Sequence, residues 1–354
     1  MHKYALTVVF LFTIICNTYS QNKNPDTVIF YYKYNISSSA QFGSKITRDR
    51  DSADYFRLIF KPDSGDAQYN VQEYYRDGKP KFIGKSEKNT FIMENTVSFQ
   101  GECISFYPNG KRHEISLYEH GTHVGLDYVF FPNGHLYYVK NYIHNPPYTE
   151  QKYVDCYDIN GNNTTKDGNG RWVVYDYEFK DIFIEGIIKN GYPEGEWKGS
   201  TNDKDSIRFI YTYKKGQIIG AKGIDKAGVE HPFTQTAVPS SYSGNLEVLV
   251  ASLRRKILPK GEKRNKKIID SLTVTFTLKK DGSISDVSVL GSNDSTINTV
   301  AQQILNNNKS WKPRTYYGIP IESKIRIPLS EQNIFGRHGF WEEIEFTAKD
   351  PITE

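Results

Sequence analysis

The sequence is short of the features that announce an enzyme. It has no Gly-x-Ser-x-Gly elbow, no phosphate-binding loop and no dinucleotide fingerprint. Its carboxylates, Asp77, Glu102, Asp127 and Asp158 among them, are scattered through expected turns and form no acid/base pair. Charge of one sign is lacking too, since 45 Lys and Arg stand against 41 Asp and Glu. That balance argues against a dedicated nucleic-acid binder, which carries a dense basic stripe. The one basic run, residues 254–267, reads as a solvated helix end and loop. Methionine (2) and tryptophan (4) are few. Cysteine is scarce for the length: 3 in 354 residues. The apolar run at residues 4–16 is 13 residues long, too short to cross a bilayer comfortably.

What is present points to exported β structure. His2 and Lys3 precede the apolar run and Thr18-Tyr19-Ser20 follows it. This layout reads as a signal peptide, residues 1–20, with cleavage before Gln21. A periplasmic or outer-envelope location is expected; an uncleaved inner-membrane anchor is the alternative. Cys103 and Cys156 then remain, either as one disulfide or as two buried thiols. The 26 Tyr and 20 Phe favour half-exposed β-sheet, where the ring packs and the hydroxyl stays wet.

Residues 68–225 repeat themselves. Tyr74-Tyr75-Arg76-Asp77-Gly78-Lys79 is echoed by Phe106-Tyr107-Pro108-Asn109-Gly110-Lys111 and by Phe130-Phe131-Pro132-Asn133-Gly134-His135. A looser copy is Cys156-Tyr157-Asp158-Ile159-Asn160-Gly161, so the turn glycines Gly78, Gly110, Gly134 and Gly161 step by 32, 24 and 27 residues. Gly101 precedes Phe106, and Gly125 Phe130, by five positions, and Asn190-Gly191 and Lys215-Gly216 look like later copies. The pattern predicts β-hairpins in which Asn-Gly and Asp-Gly supply positive φ and aromatics fill the strands. A lone hairpin cannot bury its face, so neighbours must stack. With Gly170-Arg171-Trp172 and Gly195-Glu196-Trp197 nearby, the segment resembles MORN-type repeats. Proteins with such repeats are sometimes named as antitoxins, a cytoplasmic role that an export signal argues against. Residues 28–32 and 55–60 read as strands of the same sheet, with 37–54 as a loop between them.

Residues 272–329 read as a different module. Leu272, Val274, Phe276 and Leu278 alternate with polar residues, Lys280-Asp281-Gly282 turns the chain, and Ile284, Val287 and Val289 mark a second strand with a bulge. Ile297, Val300, Ala301, Ile304 and Leu305 repeat at helical spacing behind a cap at Asp294 or Ser295. A last strand alternates Ile321, Ser323, Ile325, Ile327 and Leu329 with Lys324 and Arg326. An earlier helix at 245–258 aligns Leu246, Leu249, Leu253 and Ile257.

This order, with Gly282, Trp311 and Pro313 at the motif positions, resembles the C-terminal domain of TonB-type energy transducers over residues 240–332. The expected fold is therefore mainly β, a repeat domain of stacked antiparallel hairpins followed by a small α+β domain. The latter runs helix-strand-strand-helix-strand. Expected boundaries are 21–233 for the repeats, 234–243 for a linker, 244–332 for the α+β domain and 333–354 for a tail. The resemblance implies that the domain recognises short peptides of outer-membrane transporters by strand addition. Lys324, Ile325, Arg326 and Ile327 would form the peptide-binding edge strand, suited to an acidic or polar peptide. A transducer also needs a membrane helix and a long Pro-rich stretch; a cleavable signal and a folded repeat domain stand here instead.

No metal site and no cofactor are expected. His120 and His123 lie close together, with His113 and His135 in adjacent repeat strands, but the close pair flanks a turn, where polar residues are ordinary. Asp155, Asp158, Asn160, Asn162 and Asp167 imitate a calcium loop, but Lys166 occupies the place of the closing glutamate. The expected function is non-catalytic binding of protein partners in the cell envelope, which the resemblance ties to TonB-dependent transport. The alternatives are a membrane-anchored energy transducer, and a glycan-binding module or hydrolase on the Tyr-rich sheet.

Overall fold

The structure is a computed structural model that describes residues 27–35, 43–62, 65–87, 97–201, 206–257, 272–292, 294–308, 310–329 and 341–343. The expected signal peptide, the basic residues 260–267 and most of the 333–354 tail lie outside these. The chain forms two compact units, one ending at Gln151 and one beginning at Lys152. The first holds β1 (Thr27–Asn35), β2 (Gly43–Thr47), β3 (Tyr55–Phe60), β4 (Tyr69–Tyr75), β5 (Pro80–Ser86), β6 (Phe99–Phe106), β7 (Arg112–Glu119), β8 (Thr122–Phe130) and β9 (Leu136–Asn145). Strand β10 (Tyr148–Tyr157) carries the chain across the boundary. The second unit continues with β11 (Asn163–Lys166), β12 (Asn169–Tyr175), β13 (Ile182–Lys189), β14 (Tyr192–Ser200), β15 (Arg208–Lys214), β16 (Gln217–Ile224) and β17 (Glu230–Pro232). These seventeen strands are the hairpin-built antiparallel part of the protein. Strand β2, which pairs with β1, lies within the stretch expected to be a loop.

Two kinds of turn alternate along the meander. At the repeat motifs, Tyr75 N–H donates to Lys79 O and Gly78 N–H to Tyr75 O, at 2.9 and 2.8 Å. The same pair of bonds closes residues 107–111, 131–135 and 158–162. Only the glycines take positive φ there (84°, 82°, 92° and 86° for Gly78, Gly110, Gly134 and Gly161). These are three-residue loops ending in a glycine bulge, so Asp77 and Asn109 supply no positive φ. Their side chains instead accept the N–H two residues on. At the other hairpin ends, His120-Gly121, Asp167-Gly168, Asn190-Gly191 and Lys215-Gly216 hold both residues at positive φ, the two-residue turn that matches strand twist. Asn190-Gly191 and Lys215-Gly216 are thus not later copies of the repeat turn but the opposite kind.

Successive copies are tied by hydrogen bonds as well as by strand pairing. The Tyr75 hydroxyl donates to the Phe106 carbonyl, and the Tyr107 hydroxyl to the Phe130 carbonyl, both at 2.7 Å. The first N–H of the tight turns at His120, Asn190 and Lys215 goes to Gln100, Asn169 and Glu194 of the preceding hairpin. Gly101, Gly125 and Gly195 sit at bulges with φ of 77°, 69° and 72°.

The second unit also contains the α+β part: β18 (Ala237–Val238), β19 (Ser241–Tyr242), α1 (Leu246–Ile257), β20 (Thr273–Leu278), β21 (Ile284–Leu290) and α2 (Ser295–Asn306). It ends with β22 (Trp311–Lys312), β23 (Thr315–Tyr316), β24 (Ile319–Pro320), β25 (Ser323–Pro328) and β26 (Trp341–Glu343). Leu249, Leu253 and Ile257 of α1 and Ala301 and Leu305 of α2 bury against Val274, Phe276, Leu278, Ile325 and Ile327 of the sheet. Asp294 caps α2, its carboxylate accepting from Thr296 N at 2.9 Å. The expected bulge in β21 is at Asp286, where φ is 53°.

Residues 234–243 are built in rather than free. β18 pairs with β23 and β19 with β22, and buried Ser240 receives the Arg314 N–H. Tyr317, fully buried, stacks on Phe209 of β15 with ring centroids 4.2 Å apart. The compact-unit boundary falls at 151/152, within the repeats. Ring stacking joins the last repeats to the α+β part, and the two short ladders fasten residues 237–242 within it.

Candidate functional site

Strand β25 was expected to be the last strand of the small sheet and its open edge. The sheet order is β21-β20-β25-β26, so a segment of the chain's own tail occupies that edge. Trp341–Glu343 runs antiparallel to it, with Lys324 opposite Glu343, Ile325 opposite Glu342 and Arg326 opposite Trp341. The physical reason is that an exposed strand offers unpaired N–H and C=O groups that any extended segment can satisfy. The paired stretch covers three residues of the six in β25.

The two faces of β25 differ. Ile325 and Ile327 are wholly buried in the core, so their side chains are closed to a peptide. Lys324 is exposed and Arg326 half-buried on the opposite face. The motif residues are structural. Gly282 closes the β20–β21 turn at φ 81°. Trp311 is buried between Tyr242 and Phe276, with ring centroids 4.8 and 5.1 Å away. Pro313 follows it, half-buried.

The other sequence candidates separate. His120 lies in a tight turn and pairs with Glu87, and His113 Nδ1 is 3.1 Å from Ser105 Oγ. Burial pushes the His113 imidazole down. His135 sits exposed in its turn. Asp158 spends its carboxylate on Asn160 and Asn162, and Asp155 on the Asp167 N–H, so the calcium-like run is a polar hairpin loop. Cys103 and Cys156 are free, buried thiols; burial raises both, Cys103 to about 11.

His123 has neighbours that its sequence position did not suggest. It lies with Glu114 and Asp127, one donor atom from each within 4.8 Å of the others. Burial first, and then the Asp127 charge, push the Glu114 carboxyl up to about 7. Sequence reasoning therefore missed this trio. The aromatics of the tail, Trp341 among them, suggest packing back onto a domain but do not point to β25 as the place.

No protein-family model matches the chain, and no curated protein matches it.

Proposed function

We propose that this is a non-catalytic envelope protein whose α+β part binds an extended, acidic segment of a protein partner by strand addition to β25. The single observation that supports this reading most is the tail strand, an extended Trp-Glu-Glu segment whose backbone already pairs with Lys324, Ile325 and Arg326. Backbone hydrogen bonds supply affinity in such a mode, and alternate side chains supply selectivity. Residues 341–343 then act as a resident strand that a partner must displace. The resemblance to TonB C-terminal domains favours transporter peptides as partners, and the 4–16 apolar run favours export.

The test is calorimetric titration with a free peptide of residues 338–346. A chain ending at Gln332 is expected to bind it. The full chain should bind about tenfold more weakly, since its own strand competes at high effective concentration. No binding by the shortened chain sinks the proposal. Transporter peptides tried in the same assay identify the partner class. The N-terminal residue of protein from native cells tests export: Gln21 in a soluble envelope fraction is expected, and an uncleaved chain in the inner membrane favours the anchored transducer.

A further inference from the structure

The three residues around His123 occupy positions that neighbouring copies fill with apolar groups. The fourth residue after the turn glycine is Phe82 after Gly78 and Tyr138 after Gly134, but Glu114 after Gly110. The residue two before the bulge glycine is Phe99 at Gly101 and Pro193 at Gly195, but His123 at Gly125. Two after it stand Cys103 and Trp197, but Asp127. In the preceding copy these positions form an apolar cluster. Phe82 and Phe99 have ring centroids 4.9 Å apart, and Phe82 and Cys103 Sγ both crowd the space beside Gly84. One copy thus exchanges a whole apolar cluster for glutamate, histidine and aspartate.

The exchange leaves buried polar atoms without partners. Asp127 is 2% exposed, and its Oδ1 has no hydrogen-bond partner. The same is true of His123 Nε2, which lies 3.6 Å from that oxygen, too far for a hydrogen bond. Leaving such groups unsatisfied costs their full desolvation, so a site that keeps them calls for a ligand. Zinc bonds of about 2.1 Å at tetrahedral angles hold donor atoms about 3.4 Å apart, close to the 3.6 Å between His123 Nε2 and Asp127 Oδ1. His123 is also held in place, its ring stacked between Tyr118 and Tyr142 at centroid distances of 4.9 and 3.9 Å. The Ser116 hydroxyl donates to Glu114 Oε1 at 3.1 Å and orients that carboxylate as an outer-shell group does.

We propose that Glu114, His123 and Asp127 bind a divalent transition-metal ion of the zinc type. One imidazole nitrogen and two carboxylate oxygens suit such an ion better than calcium or magnesium, which take oxygen alone. Three protein ligands leave a fourth position for water or for a donor from a partner.

The experiment is titration of the chelator-stripped full chain with Zn²⁺ against a chromophoric chelator. It is run beside the variant that restores the apolar pattern, Glu114→Phe with His123→Phe and Asp127→Val. The wild type is expected to take up one more equivalent than the variant, and only its thermal midpoint should rise with Zn²⁺. Co²⁺ in place of Zn²⁺ should give visible absorption bands in the wild type alone. Equal uptake by both chains, or none by the wild type, overturns the proposal. Should the triple variant fail to fold, His123→Gln carries the same expectation, and unchanged uptake by it overturns the proposal equally.

Discussion

Two adjacent hairpin copies in the first unit share a backbone and differ in what they enclose. Gly78 and Gly110 close the same turn, and Gly101 and Gly125 make the same bulge. Around the first bulge lie Phe82, Phe99 and Cys103; around the second lie Glu114, His123 and Asp127. A repeat therefore fixes where side chains meet without fixing their chemistry. Backbone rules set the frame, and substitution at three positions turns a piece of core into a polar centre.

The largest effect should come from making the first copy resemble the second. Cys103→Asp places a lone carboxylate at a site 1% exposed, and is expected to cost about 3–5 kcal/mol in urea denaturation. The reverse change, Glu114→Phe with His123→Phe and Asp127→Val in metal-free protein, should raise stability by about 1–4 kcal/mol, because well-packed apolar groups often outperform a buried polar cluster. A destabilising outcome would show that the trio has compensation in the apo state.

The same contrast is readable through pH. Glu114 has a raised folded-state pKa, so the folded chain holds its proton where the unfolded chain has lost it. Its contribution is fully present below the ordinary carboxylate value of 4.5 and is lost as pH rises toward about 7. Metal-free thermal midpoints should therefore fall over that window, and the fall attributable to this group should vanish in Glu114→Gln. The exposed turn aspartates behave oppositely. Asp77 and Asp281 are held below the usual range by hydrogen bonds from Lys79 and Ser283, and their support is lost as pH falls.

Smaller effects test what the copies share. Gly101→Ala and Gly125→Ala should each cost about 1–2 kcal/mol, and by equal amounts, because positive φ rather than side-chain company sets the penalty. Unequal costs would mean that the polar trio strains its bulge. Tyr75→Phe and Tyr107→Phe should each lose about 1 kcal/mol with the bond to the next copy's carbonyl. The third copy carries Phe131 at that position already.

Much of the α+β part was legible because each signal there is local. The Lys280-Asp281-Gly282 turn, the Asp294 cap and the alternation through β20 and β25 need no distant partner to be read. Glycine spacing likewise located the repeat turns. It misassigned Asn190-Gly191 and Lys215-Gly216, because two turn types draw on the same dipeptides and only φ at the first residue separates them. The linker was misread for another reason. Ser- and Thr-rich composition at 234–243 looks like a spacer until Ser240, β18 and β19 find partners some 75 residues on.

The sequence by itself determined the hairpins, the helices and the faces they bury, since periodicity and turn chemistry act within a few residues. Tertiary structure alone decided three things. It joined the last repeats to the α+β part through Tyr317 and Phe209, laid residues 341–343 along β25, and gathered Glu114, His123 and Asp127. Each depends on strand register and bulge placement, which bring together side chains that no local pattern connects.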